Sequence, residues 1–114
     1  MRHSADPKAA LPLTPAMFAI LLSLADGEKH GYAIAREAAL SSGGTVKLGP
    51  ATLYRLIKEM AEDGWIVETQ NSGDQRRRCY RLTPRGKQVT RLEAERLDGL
   101  VRQARTLRLL SQDG

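Results

Sequence analysis

Cysteine is nearly absent: Cys79 is the only one in 114 residues. An internal disulfide is therefore impossible and no cysteine cluster is available for zinc, which fits a reducing compartment. The two histidines, His3 and His30, do not form a ligand pair. Aromatic residues are scarce, at one Trp, one Phe and three Tyr. No apolar run approaches the length of a membrane span, and the opening MRHSADPKAALPL lacks the apolar stretch of a signal peptide. There is no Ser/His/Asp set, no glycine loop for phosphate and no paired-acid constellation. Glu59, Glu62 and Asp63 are acidic neighbours at a helix end with no assigned chemistry. These absences point to a soluble, cytoplasmic protein that is not an enzyme, carries no cofactor or metal, and has no membrane partner.

What is present is charge with a location. Lys and Arg number 18 against 13 Asp and Glu, a net +5, which favours an anionic partner. Residues 1–74 hold seven basic and nine acidic side chains, whereas residues 75–110 hold eleven basic and three acidic. A solvated helix face explains part of that asymmetry; a localised basic surface explains the rest. With 41% hydrophobic residues, the chain has enough apolar content for one modest core.

Punctuation along the chain divides it. Residues 1–12 have no periodicity and read as a flexible arm, whose Arg2 and Lys8 are free to touch a polyanion. Thr14-Pro15 is a helix-start pair, because threonine caps free amides and proline suits the first helical position. MFAILLSLA follows, apolar nearly all round and so central to the core, and Asp26-Gly27 ends it. A second helix runs from about Gly31 to Leu40, with Ile34 and Ala38 on one side and Arg36 and Glu37 on the other, until Ser-Ser-Gly-Gly stops it. Gly49 and Pro50 start a third helix and Gly64 stops it. Leu53, Leu56, Ile57 and Met60 form its core face, while Ala51, Tyr54, Arg55 and Lys58 form another face at the same spacing.

WIVETQ and RRRCYRL are β-rich runs flanking Asn71-Ser72-Gly73-Asp74, a hairpin pattern with no third strand evident. Thr83-Pro84 then opens a final helix reaching about Leu110, on the order of 40 Å long at about 1.5 Å per residue. So small a domain cannot cover it. Its stripe of Leu97, Leu100, Val101, Ala104 and Leu107 predicts pairing with a second copy of the chain, a homodimer. Gly99 weakens that pattern unless a close crossing or bend requires it. The organisation is an arm (1–12), a DNA-binding domain (13–83), a dimerisation helix (84–110) and a tail (111–114).

Three helices and a basic hairpin make the winged helix-turn-helix arrangement, a mainly α (α+β) class with a two-stranded β-hairpin wing and a long C-terminal dimerisation helix. A helix fits the major groove of double-stranded DNA, where an Arg such as Arg55 makes a bidentate contact to guanine. Tyr54 and Lys58 suit phosphate contacts that fix register, with Ala51, Thr52 and Lys47 beside them. Arg76, Arg77 and Arg78 flank the turn, where a wing reaches backbone or minor groove. Taken alone, the Tyr-Arg-Lys face also reads as a merely solvated face, and the Arg triplet as protection of an edge strand. Both sit on adjacent elements of one small fold, which favours DNA; an acidic protein partner is the alternative. Cys79 among Arg76, Arg77, Arg78 and Arg81 reads either as a redox switch with a lowered pKa or as an ordinary apolar strand residue. His30 reads as the residue leading into the second helix and Trp65 as core.

LTPAMFAILLSLADGEKHGYAIA, GPATLYRLIKEMAEDGWI and RRRCYRLTPRG together resemble the PadR family of bacterial transcriptional regulators, over about Leu13 to Leu110. The carrying motifs are His30-Gly31-Tyr32, Thr52-Leu53-Tyr54, and Tyr80-Arg81-Leu82-Thr83 with Gly86. The resemblance implies a homodimeric repressor of inverted-repeat promoter operators, released by a small-molecule effector or another signal. It matches Tyr54 to a DNA-contacting tyrosine and Arg77 or Arg78 to the basic wing tip. A single C-terminal helix is like the shorter subfamily. Residues 84–110 contain no aromatic, which argues against the aromatic-stacking drug pocket of some short members; Cys79 stands where the family commonly has an aromatic.

Overall fold

The computed structural model describes residues 6–70 and 78–111. Four helices run in order: α1 (Pro15–Ser23), α2 (Gly31–Ser41), α3 (Pro50–Glu62) and α4 (Pro84–Thr106). Three strands complete the fold: β1 (Lys29–His30), β2 (Ile66–Gln70) and β3 (Cys79–Leu82). Among the described residues no helix is long and apolar enough to cross a membrane.

The helix starts follow their capping chemistry. Thr14 Oγ1 accepts from Met17 N at 3.1 Å and Thr83 Oγ1 from Gly86 N at 3.0 Å, so each threonine satisfies an amide that the first turn leaves open. Gly49 precedes α3 in an extended conformation with Pro50 as the first helical residue. α1 is apolar on every side because it packs against both α2 and α4. Ile20 and Leu21 of α1 meet Ile34 of α2, Leu53, Leu56, Ile57 and Met60 of α3, Ile66, Tyr80 and Leu82 of the sheet, and Val89 of α4 in one core. Trp65 joins them, as its position ahead of β2 predicts.

Three findings differ from the sequence reading. First, the hairpin has a third strand: β1 pairs antiparallel with β3, Lys29 opposite Tyr80 and His30 opposite Cys79, in the order β1-β3-β2. Two residues are too few to leave an alternation in the sequence, yet they close the open edge of β3. Second, Pro7–Ala10, within the expected arm, forms a 3-10 turn against α4, capped by Asp6 Oδ1 accepting from Lys8 N at 3.0 Å. Third, α4 ends at Thr106, with Leu107 at its C-cap and Arg108 in the left-handed conformation, φ 64°. Leu109 N then donates to Ala104 O at 2.9 Å, the closing bond of a Schellman-type end. The expected turn at Asn71 to Asp74 lies outside the described residues. On either side of it β2 and β3 pair from Ile66 opposite Leu82 to Gln70 opposite Cys79, with a bulge between Glu68 and Gln70.

The crossing that fixes α4 on the sheet is tight. Thr83 N donates to Trp65 O at 3.0 Å, Thr83 Oγ1 donates to Gly64 O at 2.5 Å, and Gly86 packs directly on the Trp65 backbone. Buried Glu93, one helical face further along, accepts from Leu13 N at 3.0 Å and pairs with Arg96, so the segment ahead of α1 is tied to α4 as well.

Candidate nucleic-acid interface

The core face of α3 is buried throughout, which leaves Ala51, Thr52, Arg55 and Lys58 exposed on the opposite side. That division follows from the 3.6-residue period: positions 53, 56, 57 and 60 turn inward together and positions 51, 55 and 58 turn outward together. Arg55 has 60% of its side chain exposed, and its Nη1 lies 3.2 Å from Glu59 Oε1 one turn on. An i, i+4 pair of this exposure is worth only about 0.3–0.5 kcal/mol, so it orients the guanidinium without holding it. Glu59, given no role from the sequence, thus biases Arg55 to lie along the helix.

Tyr54 is half-buried. Its ring lies against Gly31 so closely that a Cβ there would stand 2.9 Å from the ring carbons Cε1 and Cζ. Glycine at the start of α2 is therefore what lets Tyr54 of α3 fit between the two helices, setting the angle of the helix-turn-helix pair. Two grooves open on either side of this ring. One, of about 590 Å³, lies between α2 and α3 and is edged by Tyr32, Arg36 and Lys47. The other, of about 510 Å³, lies between α3 and the sheet and is edged by Arg55, Lys58 and Arg78.

The structure therefore brings Tyr54, Arg55, Lys58 and Arg78 together at one groove and Lys47 to the neighbouring groove across Tyr54, with Ala51 and Thr52 exposed on the same helix. Arg76 and Arg77 lie outside the described residues. Arg78 Nε sits 3.8 Å from Glu68 Oε1 across the two strands, a partial neutralisation that the sequence did not reveal. Burial, and then the nearby Glu68 carboxylate, push the Tyr80 phenol up from its usual range, so it stays neutral there. Sequence reasoning left out Tyr32 and Arg36 of α2. Both are exposed, and the Arg36 guanidinium lies 5.8 Å from the centroid of the Tyr32 ring. Their i, i+4 spacing next to Lys47 is the signal that would have found them.

The structure separates the two readings of Cys79. Its arginine neighbours in sequence predict a lowered pKa, whereas burial and the Glu28 carboxylate push the thiol up. The residue is buried on β3, with Sγ 3.6 Å from His30 Nδ1 and 3.7 Å from Nε2. The ordinary strand reading fits, and the first prediction follows from it. Cys79 in the native chain should react with a disulfide reagent on the order of tenfold more slowly than in the urea-unfolded chain. Equal rates measured by absorbance at neutral pH would restore the reactive-thiol reading.

Comparison with known proteins places this geometry. The profile of the family described as Transcriptional regulator PadR-like family matches residues 20–92. A transcriptional regulator of Mycobacterium tuberculosis is 36% identical over 85 residues, covering 74% of this chain and 77% of that protein. An uncharacterised 37.1 kDa protein in a transposon of Streptomyces fradiae is 36% identical over 89 residues, and there the match spans 75% of this chain but only 25% of the relative. Among solved structures, a transcriptional regulator from Clostridium thermocellum matches with a TM-score of 0.65 and 22% identity, covering 80% of this chain and 87% of that one. Bacillus subtilis PadR in complex with operator DNA matches with a TM-score of 0.57 and 23% identity, covering 90% of this chain and 62% of that one.

Proposed function

The chain belongs to the PadR-like family of transcriptional regulators, and from that premise we propose that it binds double-stranded DNA in a sequence-specific way. In this reading it acts as a homodimeric repressor on an inverted-repeat operator and is released by a small molecule or another signal. The observation that carries the reading is the exposed basic side of α3, where Thr52, Arg55 and Lys58 stand clear of the core with Arg78 and Lys47 beside them. A helix presenting such a side has the width and the donors to read base edges in a major groove. The likeness of the fold to Bacillus subtilis PadR, solved with operator DNA, supports the same reading.

Roles divide by chemistry. Arg55, released from Glu59, reads a base, and Lys58, Lys47 and the wing arginines contact phosphates. Tyr54 is wedged against Gly31 and presents its ring edge between the two grooves, so it sets the position of Arg55 as well as facing DNA. Pairing of the exposed α4 stripe with that of a second copy presents two α3 helices, whose half-sites lie about 34–36 Å apart if the usual one-turn spacing holds.

Mobility-shift titrations at two salt concentrations test the proposal. Arg55→Ala is expected to weaken operator binding by about 1–3 kcal/mol while changing affinity for random DNA little. Lys58→Ala should weaken both and flatten the salt dependence by about one unit of slope. Equal losses on operator and random DNA for Arg55→Ala overturn the base-reading role. Absence of any DNA binding at low salt overturns the proposal and leaves an acidic protein as the partner of this face.

A further inference from the structure

The groove between α2 and α3 pairs an apolar floor with a basic rim. Ala35, Ala39, Leu48, Pro50 and Leu53 form the floor of a space of about 590 Å³, and Arg36 and Lys47 stand at its edge. A phosphate backbone meets such a rim and leaves the floor uncovered, because its contacts are charged oxygens. Covering the floor and matching the rim in one molecule takes an apolar body and a charge together.

The charge on that rim is of one sign. None of the nine residues lining the groove is acidic. The groove on the other side of Tyr54 differs, since Glu68 stands there with its Oε1 3.8 Å from Arg78 Nε. Glu37, next to Arg36 in sequence, is turned to Lys29, whose Nζ lies 3.7 Å from its Oε2. Arg36 is held instead against the Tyr32 ring, with its guanidinium 5.8 Å from the centroid. Stacking on a ring face uses none of the guanidinium N–H donors, so they stay available to an anion. Lys47, in the segment leading into α3, is exposed at the same rim.

We propose that this groove binds an amphipathic organic anion, with its apolar chain laid along Ala35 and Ala39 and its anionic head at Arg36 and Lys47. From Tyr32 to Ala39 the α2 wall runs seven residues. That is about 10 Å at about 1.5 Å per residue, which suits a chain of about eight carbons. A cationic head meets like charge at the rim, and a neutral molecule leaves both cations unmatched. Pro50, Leu53 and Tyr54 at the N-terminal end of α3 form the facing wall, so the bound molecule lies against the start of the helix that carries Thr52 and Arg55. It also engages Lys47, to which the DNA reading gives a phosphate. Ligand and operator therefore compete for one cation and one helix end. That competition rests on the DNA-binding reading above, whereas the site itself does not.

Octanoate, octanol and octylammonium share one alkyl chain and differ in charge. Each is titrated into the native chain without DNA, below its micelle-forming concentration, and followed by calorimetry. Octanoate is expected to bind at least about fivefold more tightly than octanol, and octylammonium most weakly. Arg36→Gln should remove most of the preference for octanoate over octanol. Ala39→Phe, which fills the floor from the α2 side, should abolish binding of both, with circular dichroism checking that each variant is folded. Arg36 is exposed, so Arg36→Gln still decides the matter if Ala39→Phe does not fold. In mobility shifts octanoate should weaken operator binding by the native chain progressively and without a plateau, the mark of competition, and should leave Ala39→Phe unaffected. Absence of saturable octanoate binding, or equal affinity for octanoate and octanol, overturns the site, and native-strength binding in a folded Ala39→Phe overturns its location. Octanoate that binds without lowering operator affinity overturns the competition and leaves the site standing. A native chain that binds no DNA at low salt overturns the DNA reading, while the calorimetry still decides the site.

Discussion

Gly86→Ala is expected to destabilise the fold by about 3 kcal/mol or more, which at about 4 °C per kcal/mol lowers the Tm by 12 °C or more. The added Cβ would fall inside contact distance of the Trp65 carbonyl oxygen, with Trp65 C at 2.9 Å and Trp65 Cα at 3.1 Å. All three are backbone atoms, so no side chain can turn aside. Relief requires lifting the start of α4 off the corner after α3, and that corner is also where Thr83 bonds Gly64 O and Trp65 O. The methyl gains about 1 kcal/mol of helix propensity, which the clash outweighs. Gly99→Ala in the same helix is the control. A Cβ there meets nothing within 4 Å, so the propensity gain stands alone and the Tm should rise. Thermal melts followed by circular dichroism check both signs. A Gly86→Ala variant as stable as the native chain would mean that α4 is free to shift on the sheet.

That contrast shows what a sequence carries and what it does not. Gly86 and Gly99 look alike in sequence, two glycines in one helix, and only the approach of a second backbone separates them. The helix starts were legible because Thr14-Pro15, Gly49-Pro50 and Thr83-Pro84 act through chemistry within four residues of themselves. The two faces of α3 were legible because a period needs only one element. The third strand was not, since Lys29 and His30 become a strand only by meeting Tyr80 and Cys79 about fifty residues away. The ordinary strand reading of Cys79 holds, but its cause lies at a distance: burial and Glu28, about fifty residues away in sequence, push its thiol up. On the candidate interface, the outward residues of α3 could be read directly. The wedging of Tyr54 against Gly31 and the orienting of Arg55 by Glu59 needed coordinates.

Glu93 carries the second large expectation, and the sequence presented it as one of three acids in a basic half. It is 1% exposed, accepts from Leu13 N at 3.0 Å through Oε2, and takes Arg96 Nε at 2.5 Å on Oε1 and Nη2 at 2.9 Å on Oε2. Glu93→Ala strands the Leu13 amide and the guanidinium together. An orphaned buried amide costs about 1–3 kcal/mol, and a broken, wholly buried ion pair about 3–5. Arg96 keeps 36% of its side chain exposed and can turn to water, so a loss of about 2–3 kcal/mol is expected at neutral pH. Glu93→Gln retains an acceptor for Leu13 N and should lose less. The pH dependence has a definite sign. The Arg96 hydrogen bonds, opposed by burial and aided by the Leu13 amide, hold the Glu93 carboxyl below its ordinary value of 4.5. A depressed folded-state pKa adds stability that is fully present above that value and is lost as the pH falls through the folded pKa. The stability gap between the native chain and Glu93→Ala, measured by urea unfolding, should therefore be constant from neutral pH to about 5 and narrow below 4.5. Amide exchange at Leu13 should quicken in Glu93→Ala before the rest of the core opens, because that bond ties the segment ahead of α1 to α4. A gap that stays the same from pH 7 to pH 3 would mean that the carboxylate's charge does not hold this junction, and that packing around it does.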